Sequence, residues 1–278
     1  MNVILPEFIQ TRRILLPPLL LILCACSMTP YRDSGPPPGS IDVSSIPDAV
    51  PKVEPRSKYG NPSSYAVNGK RYYVMASSRG YVERGIASWY GRKFDGHRTS
   101  SGETYDMYGM TAAHKELPLP TFVEVTNLKN GRSVVVKVND RGPFQKNRII
   151  DLSYAAAAKL GIIRTGTGLV EVRAIDPRTY HEKNHTIQVK AGGAGGNNDG
   201  NPDFYIQVGA FSNLVNAEHL RMRLSDLTAG MVHISEADVQ GMHVYRVRIG
   251  PLTNVDIADH IVAELERFGV FDHRIVVD

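Results

Sequence analysis

Apolar and polar positions change period along this chain, and the changes mark its elements. Phe122 to Thr126 and Ser133 to Val138 are rich in β-branched residues, with Asn130-Gly131 between them. Two such runs around Asn-Gly predict strands joined in a hairpin. Leu169 to Ala174 reads as a further strand. One helical stretch interrupts the β pattern: Ser153 is suited to cap it, Ala155 to Ala158 propagate it, and Gly161 ends it. Many short strands around a single helix predict a small closed barrel over about residues 81–175.

The last part of the chain repeats itself. Gly209-Ala-Phe-Ser-Asn-Leu-Val-Asn-Ala-Glu-His-Leu220 aligns with Gly250-Pro-Leu-Thr-Asn-Val-Asp-Ile-Ala-Asp-His-Ile261. Each copy follows an alternating strand, Phe204–Val208 or Val244–Ile249, and opens a helix at an asparagine cap, Asn213 or Asn254. Apolar positions 214, 217, 220, 224 and 227 give the first helix a buried stripe; 257, 261, 265 and 268 do so for the second. Strands near Met231–Ser235 and Arg274–Val277 complete β-α-β-β-α-β over residues 203–278. The expected result is one sheet with both helices on one face and the other face open to an extended ligand.

Between and before these domains the pattern fades. Residues 26–78 are rich in Pro, Ser, Gly and Asn and predict a disordered tether, in which Tyr72–Met75 is either a short docked strand or nothing. Residues 176–202, with Ala191-Gly-Gly-Ala-Gly-Gly-Asn-Asn-Asp-Gly200, read as a glycine-rich linker. At the start, Arg12-Arg13 precede the apolar run Ile14–Ile22, which is broken by Pro17-Pro18. It is far short of the roughly 20 residues that cross a bilayer, so residues 1–25 are expected to be a secretory leader.

Composition narrows the picture. The only two cysteines, Cys24 and Cys26, lie at that leader, so no disulfide and no thiolate metal site is expected in the mature chain. Formal charge is +4 and falls to +3 once Glu7, Arg12 and Arg13 leave with the leader. That is too mild and too scattered for a nucleic-acid footprint. Histidines lack ligand spacing and no phosphate loop is present, so neither metal nor other cofactor is expected.

Candidate chemistry sits in the barrel region. Glu103, Asp106 and His114 lie close in sequence, and Asp140 follows the strand 133–138, where a barrel strand gives way to a loop. A carboxylic acid there could give a proton to a glycosidic oxygen. Equally, Asp140 in Asn-Asp-Arg-Gly-Pro could close a turn, with Arg141 holding it ionised. Glu103 and Asp106 also read as solvated loop charges, and His114 as structural. Trp89, Tyr90, Phe94 and Tyr105 supply rings that suit either a sugar groove or a core.

The motifs Gly85-Ile-Ala-Ser-Trp-Tyr-Gly91, Tyr108-Gly-Met-Thr-Ala-Ala-His114, Leu117-Pro-Leu-Pro120, Val138-Asn-Asp-Arg-Gly-Pro143 and Ile150-Asp-Leu-Ser-Tyr-Ala-Ala-Ala157 resemble the rare lipoprotein A family. The resemblance implies a double-psi β-barrel, and the repeat after it resembles a SPOR domain, a binder of glycan strands stripped of stem peptides. Active members of that family are lytic transglycosylases. They cut between N-acetylmuramic acid and N-acetylglucosamine and leave a 1,6-anhydro end. The resemblance implies that Asp140 transfers the proton, that His114, Glu103 and Asp106 assist, and that Trp89, Tyr90 and Tyr105 bind glycan. On the SPOR sheet it points to Gln207, Tyr205 and Arg246. Ala210 replaces a common serine there and Val244 an aromatic, which shifts weight to Tyr205 and Tyr245. Leu23-Cys24-Ala25-Cys26-Ser27 resembles a lipobox, implying acylation at Cys26, an outer-membrane anchor and enrichment at the division septum. A monomer is expected. A non-catalytic, expansin-like wall binder is the competing function. An RNA-binding sheet of the same strand order fails for want of the aromatic strand signature.

Overall fold

A computed structural model describes residues 34–37, 42–180, 202–228, 230–239 and 241–278. The leader, Cys26 and the 191–200 glycine tract lie outside the described residues. Among the described residues no helix is long and apolar enough to cross a membrane.

Six strands close into a barrel in the order β3-β7-β4-β6-β5-β8. They are β3 (Val82–Tyr90), β4 (Thr111–His114), β5 (Thr121–Asn127), β6 (Ser133–Asp140), β7 (Arg148–Ser153) and β8 (Gly168–Ala174), after a hairpin of β1 (Ser64–Val67) and β2 (Lys70–Tyr73). The β3–β7 and β4–β6 pairs are parallel and the remaining barrel pairs antiparallel. Val123, Val125, Val134, Val136, Val138, Ile150, Leu152, Val170 and Val172 fill the interior. These are the alternate positions of the β-branched runs, as a pleated strand requires. Helix α1 (Tyr154–Leu160) lies where the sequence predicts it. Ser153 accepts from the Ala156 amide, and Gly161 takes the left-handed conformation at φ 79°.

The expected disordered tether is corrected from Asp42 onward. That segment wraps the barrel, chiefly through backbone and charge rather than large apolar side chains, which is why its composition reads as unstructured. The Ala49 amide donates to the Val135 carbonyl (3.0 Å) and the Ser57 amide to the Leu119 carbonyl (2.9 Å). Asp48 pairs with Lys159, and Glu54 with Lys137 at 2.9 Å. Asn61 both donates to the Leu119 carbonyl and accepts from the Leu119 amide. The undecided stretch at Tyr72–Met75 is resolved as well: β2 is real, and Tyr72 is buried.

The C-terminal domain runs β9 (Phe204–Phe211), α2 (Leu214–Ser225), β10 (Val232–Val239), β11 (Met242–Leu252), α3 (Val255–Arg267) and β12 (Arg274–Val277). Its antiparallel sheet has the order β10-β11-β9-β12. Ala217 and Leu224 of α2 and Ala258, Ile261, Val262 and Leu265 of α3 share one core with Phe204, Ile206, Val208, Val247 and Ile249. Both helices therefore cover the same sheet face. The predicted stripes need correction at their ends. Leu214 (44% exposed), Ile257 (45%) and Phe268 (60%) face solvent. On α3 the seam is 258-261-262-265, because Ala258 is small enough to let the helix approach the sheet.

Candidate active site

Ala113 organises the site. On β4 it pairs with Asp140 of β6 on one side and with Asp151 of β7 on the other. It faces away from the barrel interior, in a small cluster with Tyr90, Tyr105 and Met107. Beside this cluster opens a cleft of about 370 Å³ lined by Asn68, Tyr90, Phe94, Ala113, Arg141, Gly142, Pro143, Phe144, Gln145 and Asp151. Phe94 (43% exposed) and Phe144 (36%) offer ring faces at its lips. Tyr90 stacks on Tyr105 with centroids 4.2 Å apart and meets Phe94 edge-on at 6.0 Å.

Asp151 is the single carboxylic acid in that lining among the described residues. It was quoted within a motif but not singled out by the sequence reading. Its neighbours Ile150 and Leu152 are fully buried in the barrel, so strand alternation turns the acid outward. The Ser88 hydroxyl donates to its Oδ1. Burial pushes the Asp151 carboxyl above its usual range, aided by the negative charge of Asp140, and outweighs the Ser88 hydrogen bond and the charges of Arg148 and Lys115. A carboxyl that holds its proton more tightly than usual beside an open cleft can donate that proton.

Asp140 has a different position. Its Oδ1 accepts from the Ser100 amide (2.8 Å), the Ser100 hydroxyl (2.6 Å) and the Arg141 amide (2.7 Å). This is the turn-closing arrangement, with the carboxylate aimed at the 99–103 loop. The Arg141 guanidinium does not pair with it. It donates instead to the carbonyls of Gly60 (2.8 Å), His114 (3.0 Å) and Leu117 (2.6 Å).

The remaining acidic and basic candidates are not brought into the cleft lining. His114 is buried, and its Nδ1 accepts from the amides of Glu116 (3.1 Å) and Leu117 (3.0 Å). Its proton therefore sits on Nε2, 2.8 Å from the Tyr81 hydroxyl. Burial, with the Lys115 and Arg141 charges, pushes its pKa down to about 3. It is a neutral, fully engaged ring. Glu103 pairs with Lys137 (2.7 Å) and accepts from Asn139 (2.8 Å). Burial opposes its charge, yet those contacts and Lys52 outweigh it and hold the carboxyl below its usual range. Exposed Asp106 accepts from the Tyr108 amide (2.8 Å). Trp89 packs against the barrel core and edge-on to Tyr154 at 5.8 Å. Tyr105 is buried, with its hydroxyl on the Tyr90 carbonyl.

Gly142 forms the cleft floor at φ 141°. A Cβ there would lie 3.7 Å from the Ala113 Cβ and 3.9 Å from Asp151 Oδ2. Both are ordinary van der Waals distances, but side chains rarely adopt that backbone conformation, so Gly142→Ala is expected to cost roughly 1–3 kcal/mol through backbone strain. Thermal melts should fall accordingly; an unchanged melting temperature would contradict this.

On the C-terminal sheet, Tyr205, Gln207 and Arg246 lie on the face opposite the helices. Tyr245 does not: it packs against the helix-side core. Arg248, which the sequence reading missed, takes a central position. It pairs across the sheet with Gln207 and with His233, lies 5.6 Å over the Tyr205 ring, and binds Asp278 at 2.9 Å. Buried Gln207 Oε1 has no hydrogen-bond partner among the described residues. Such an acceptor is costly unless a ligand or water meets it. No cluster that could hold a metal ion occurs among the described residues.

Comparison with known proteins agrees with this layout. A lytic transglycolase family model matches residues 82–173 and a SPOR domain model residues 200–271. A Pseudomonas aeruginosa endolytic peptidoglycan transglycosylase RlpA is 43% identical, over 82% of this chain and 79% of the relative. The Vibrio cholerae protein of the same name is 39% identical, over 90% and 91%. The solved SPOR domain of RlpA from P. aeruginosa is 33% identical over 26% of this chain and 96% of its own, with a TM-score of 0.25. By identity sustained across both domains, the chain belongs to the RlpA family of endolytic peptidoglycan transglycosylases, with a double-psi barrel followed by a SPOR domain.

Proposed function

We propose that this chain cuts peptidoglycan glycan strands between N-acetylmuramic acid and N-acetylglucosamine, with Asp151 as both acid and base. Protonated Asp151 gives its proton to the leaving glycosidic oxygen. The resulting carboxylate then takes the proton of the muramic acid 6-hydroxyl as that oxygen attacks its own anomeric carbon. One carboxyl serves both steps, and a 1,6-anhydro ring forms without water. The observation carrying this reading is that, among the described residues, Asp151 is the only carboxyl lining an aromatic-walled cleft. A hydrolytic glycosidase needs two, one of them for water or for a covalent intermediate. Asp140 and His114 hold the two loops beside Asp151 in place, and Phe94, Phe144 and Tyr90 receive sugar faces.

The substrate form follows from the second domain. Its sheet face, with Gln207, Arg246, Arg248 and Tyr205, suits an extended strand, and the preferred strand is peptide-free. Acylation at Cys26 anchors the protein to the outer membrane, with enrichment at division sites. Digestion of sacculi with and without prior removal of stem peptides tests this. Soluble fragments should appear chiefly from the peptide-free material. Equal release from both would refute the preference, and binding without release would favour a wall binder.

The raised Asp151 pKa gives a sign to the pH dependence. Activity needs the protonated acid, so kcat/KM should fall as pH rises through that pKa. In Ser88→Ala the carboxyl loses a hydrogen bond that favours its charged form, so the alkaline limb should move to higher pH. A profile that stays put, or moves lower, would remove Asp151 from the proton-donating role.

A further inference from the structure

The barrel and the C-terminal domain belong to one compact unit, and a row of barrel residues joins them. Ile86 of β3 pairs with Leu169 of β8 on one side and with Arg148 of β7 on the other. Ile86 and Leu169 are buried, yet they belong to the apolar core of the C-terminal domain rather than to the barrel interior. The third member of the row is a cation. Ile149 is an extra residue on β7, a bulge opposite Ile86 and Ala87. A bulge resets the alternation of a strand, so Arg148 faces out with Ile86 while Ile150 stays in the barrel interior. Arg148 is only 7% exposed. Its Nη2 donates to Asp259 Oδ2 (2.7 Å) and its Nη1 to Asp259 Oδ1 (3.4 Å), a forked contact with helix α3. Two turns further along α3, Glu266 pairs with Lys146. Lys146 follows Gln145 of the cleft lining, and Arg148 lies three residues before Asp151.

We infer that Asp259 is a positioning residue for the cleavage step: it holds Arg148, fixes the start of β7 against the C-terminal domain and screens Asp151 from that cation. The inference rests on the Asp151 reading above. A buried guanidinium needs a carboxylate that fits its fork of donors, and Asp259 supplies one from the other domain. The groups acting on Asp151 are Ser88, Arg148, Lys115 and Asp140; the first three favour its charged form and Asp140 opposes it. Of these, Arg148 is the one paired with a carboxylate of the C-terminal domain. Glu266, on the same helix, is engaged by Lys146 and lies 3.8 Å from His273, so its charge is spent elsewhere. Docking of the C-terminal domain thereby tunes the acid in the cleft, and undocking uncovers the Arg148 charge beside it.

The test is the pH profile of kcat/KM on peptide-free glycan for the full-length chain in detergent, as wild type, Asp259→Asn, Asp259→Glu and Ser88→Ala. In Asp259→Asn the uncovered Arg148 charge favours ionised Asp151, so the alkaline limb should move to lower pH. The expected shift is about half a unit to one unit, less than the roughly 1–3 units of an opposite charge in direct contact. On that limb kcat/KM then falls about three- to tenfold, while the rate on the acid side, where Asp151 is protonated in both proteins, stays at the wild-type value. Asp259→Glu keeps the charge and should return the limb most of the way. A limb in Asp259→Asn that coincides with wild type, or rates that fall alike at every pH in the Asn and Glu variants, would overturn the inference. The Asp151 reading stands in those cases as long as Ser88→Ala still moves the limb to higher pH. If Ser88→Ala and Asp259→Asn both leave the limb in place, the Asp151 reading falls and the inference falls with it.

Discussion

Asp151→Asn should lose cleavage of peptide-free glycan by about 10²- to 10⁴-fold, the usual contribution of a positioned general acid or base, while still binding the strand. Asparagine keeps the shape and can still accept from Ser88, but it can neither give the proton nor take one back. Because the folded protein holds the Asp151 carboxyl above its unfolded pKa, folding favours the protonated form. That stabilisation is present at low pH and is lost as pH rises through the raised pKa. A neutral asparagine escapes the loss, so Asp151→Asn should melt no lower than wild type at neutral pH, and slightly higher. Loss of activity with retained or raised stability is what a group held for chemistry gives. Asp140→Asn is the control. Its side-chain carbonyl can still accept from the Ser100 amide, the Ser100 hydroxyl and the Arg141 amide, so activity should stay within roughly tenfold of wild type. If Asp140→Asn abolishes cleavage and Asp151→Asn does not, the roles assigned here are reversed.

Arg141→Ala should be the most destabilising single change near the site. The Arg141 guanidinium joins three separate pieces of chain: Gly60 of the wrapping segment, His114 and Leu117 at the end of β4, and its own loop after β6. Its removal leaves several carbonyls without their charged donor, at an expected cost of about 2–4 kcal/mol. For a chain of this size that lowers the melting temperature by on the order of 10 °C. Arg141→Lys should recover little, because an ammonium on a flexible stem cannot reproduce the planar fork of donors. Calorimetry of the three proteins measures this. A change below about 0.5 kcal/mol, the level of an ordinary surface substitution, would show that the staple contributes nothing.

Half of the barrel's strands were legible by pattern: β5, β6 and β8 are rich in β-branched residues, and Asn130-Gly131, Ser153 and Gly161 are local signals that need no tertiary context, whereas β3, β4 and β7, the last two short and β4 alanine-rich, carry no such run. The C-terminal domain was legible through its repeat. The wrapping segment was not. Its docking uses backbone amides, Asn61 and the paired charges of Asp48 and Glu54, none of which changes a hydropathy profile. The site was half legible. Tyr90 and Phe94 line the cleft, whereas Glu103, Asp106 and Asp140 lie outside that lining and the Oδ1 of Asp140 is bonded within its turn. Asp151 had a readable cue: a carboxylic acid between two interior residues, Ile150 and Leu152, must face outward from a strand. What no local pattern shows is that Ala113 and Gly142 are small enough to leave open space in front of it. On the C-terminal sheet, two-residue alternation along β11 places Arg248 on the open face and Tyr245 on the helix side, once the strand's register with β9 is known.

The most direct test of the central claim is digestion of peptide-free glycan in ¹⁸O-labelled water, with wild type and Asp151→Asn, read by mass spectrometry. Intramolecular attack within the Asp151 cleft predicts wild-type products one water lighter than hydrolysed ends, free of ¹⁸O, and absent with Asp151→Asn. Products carrying ¹⁸O at a reducing end, or anhydro products that persist in Asp151→Asn, would contradict it.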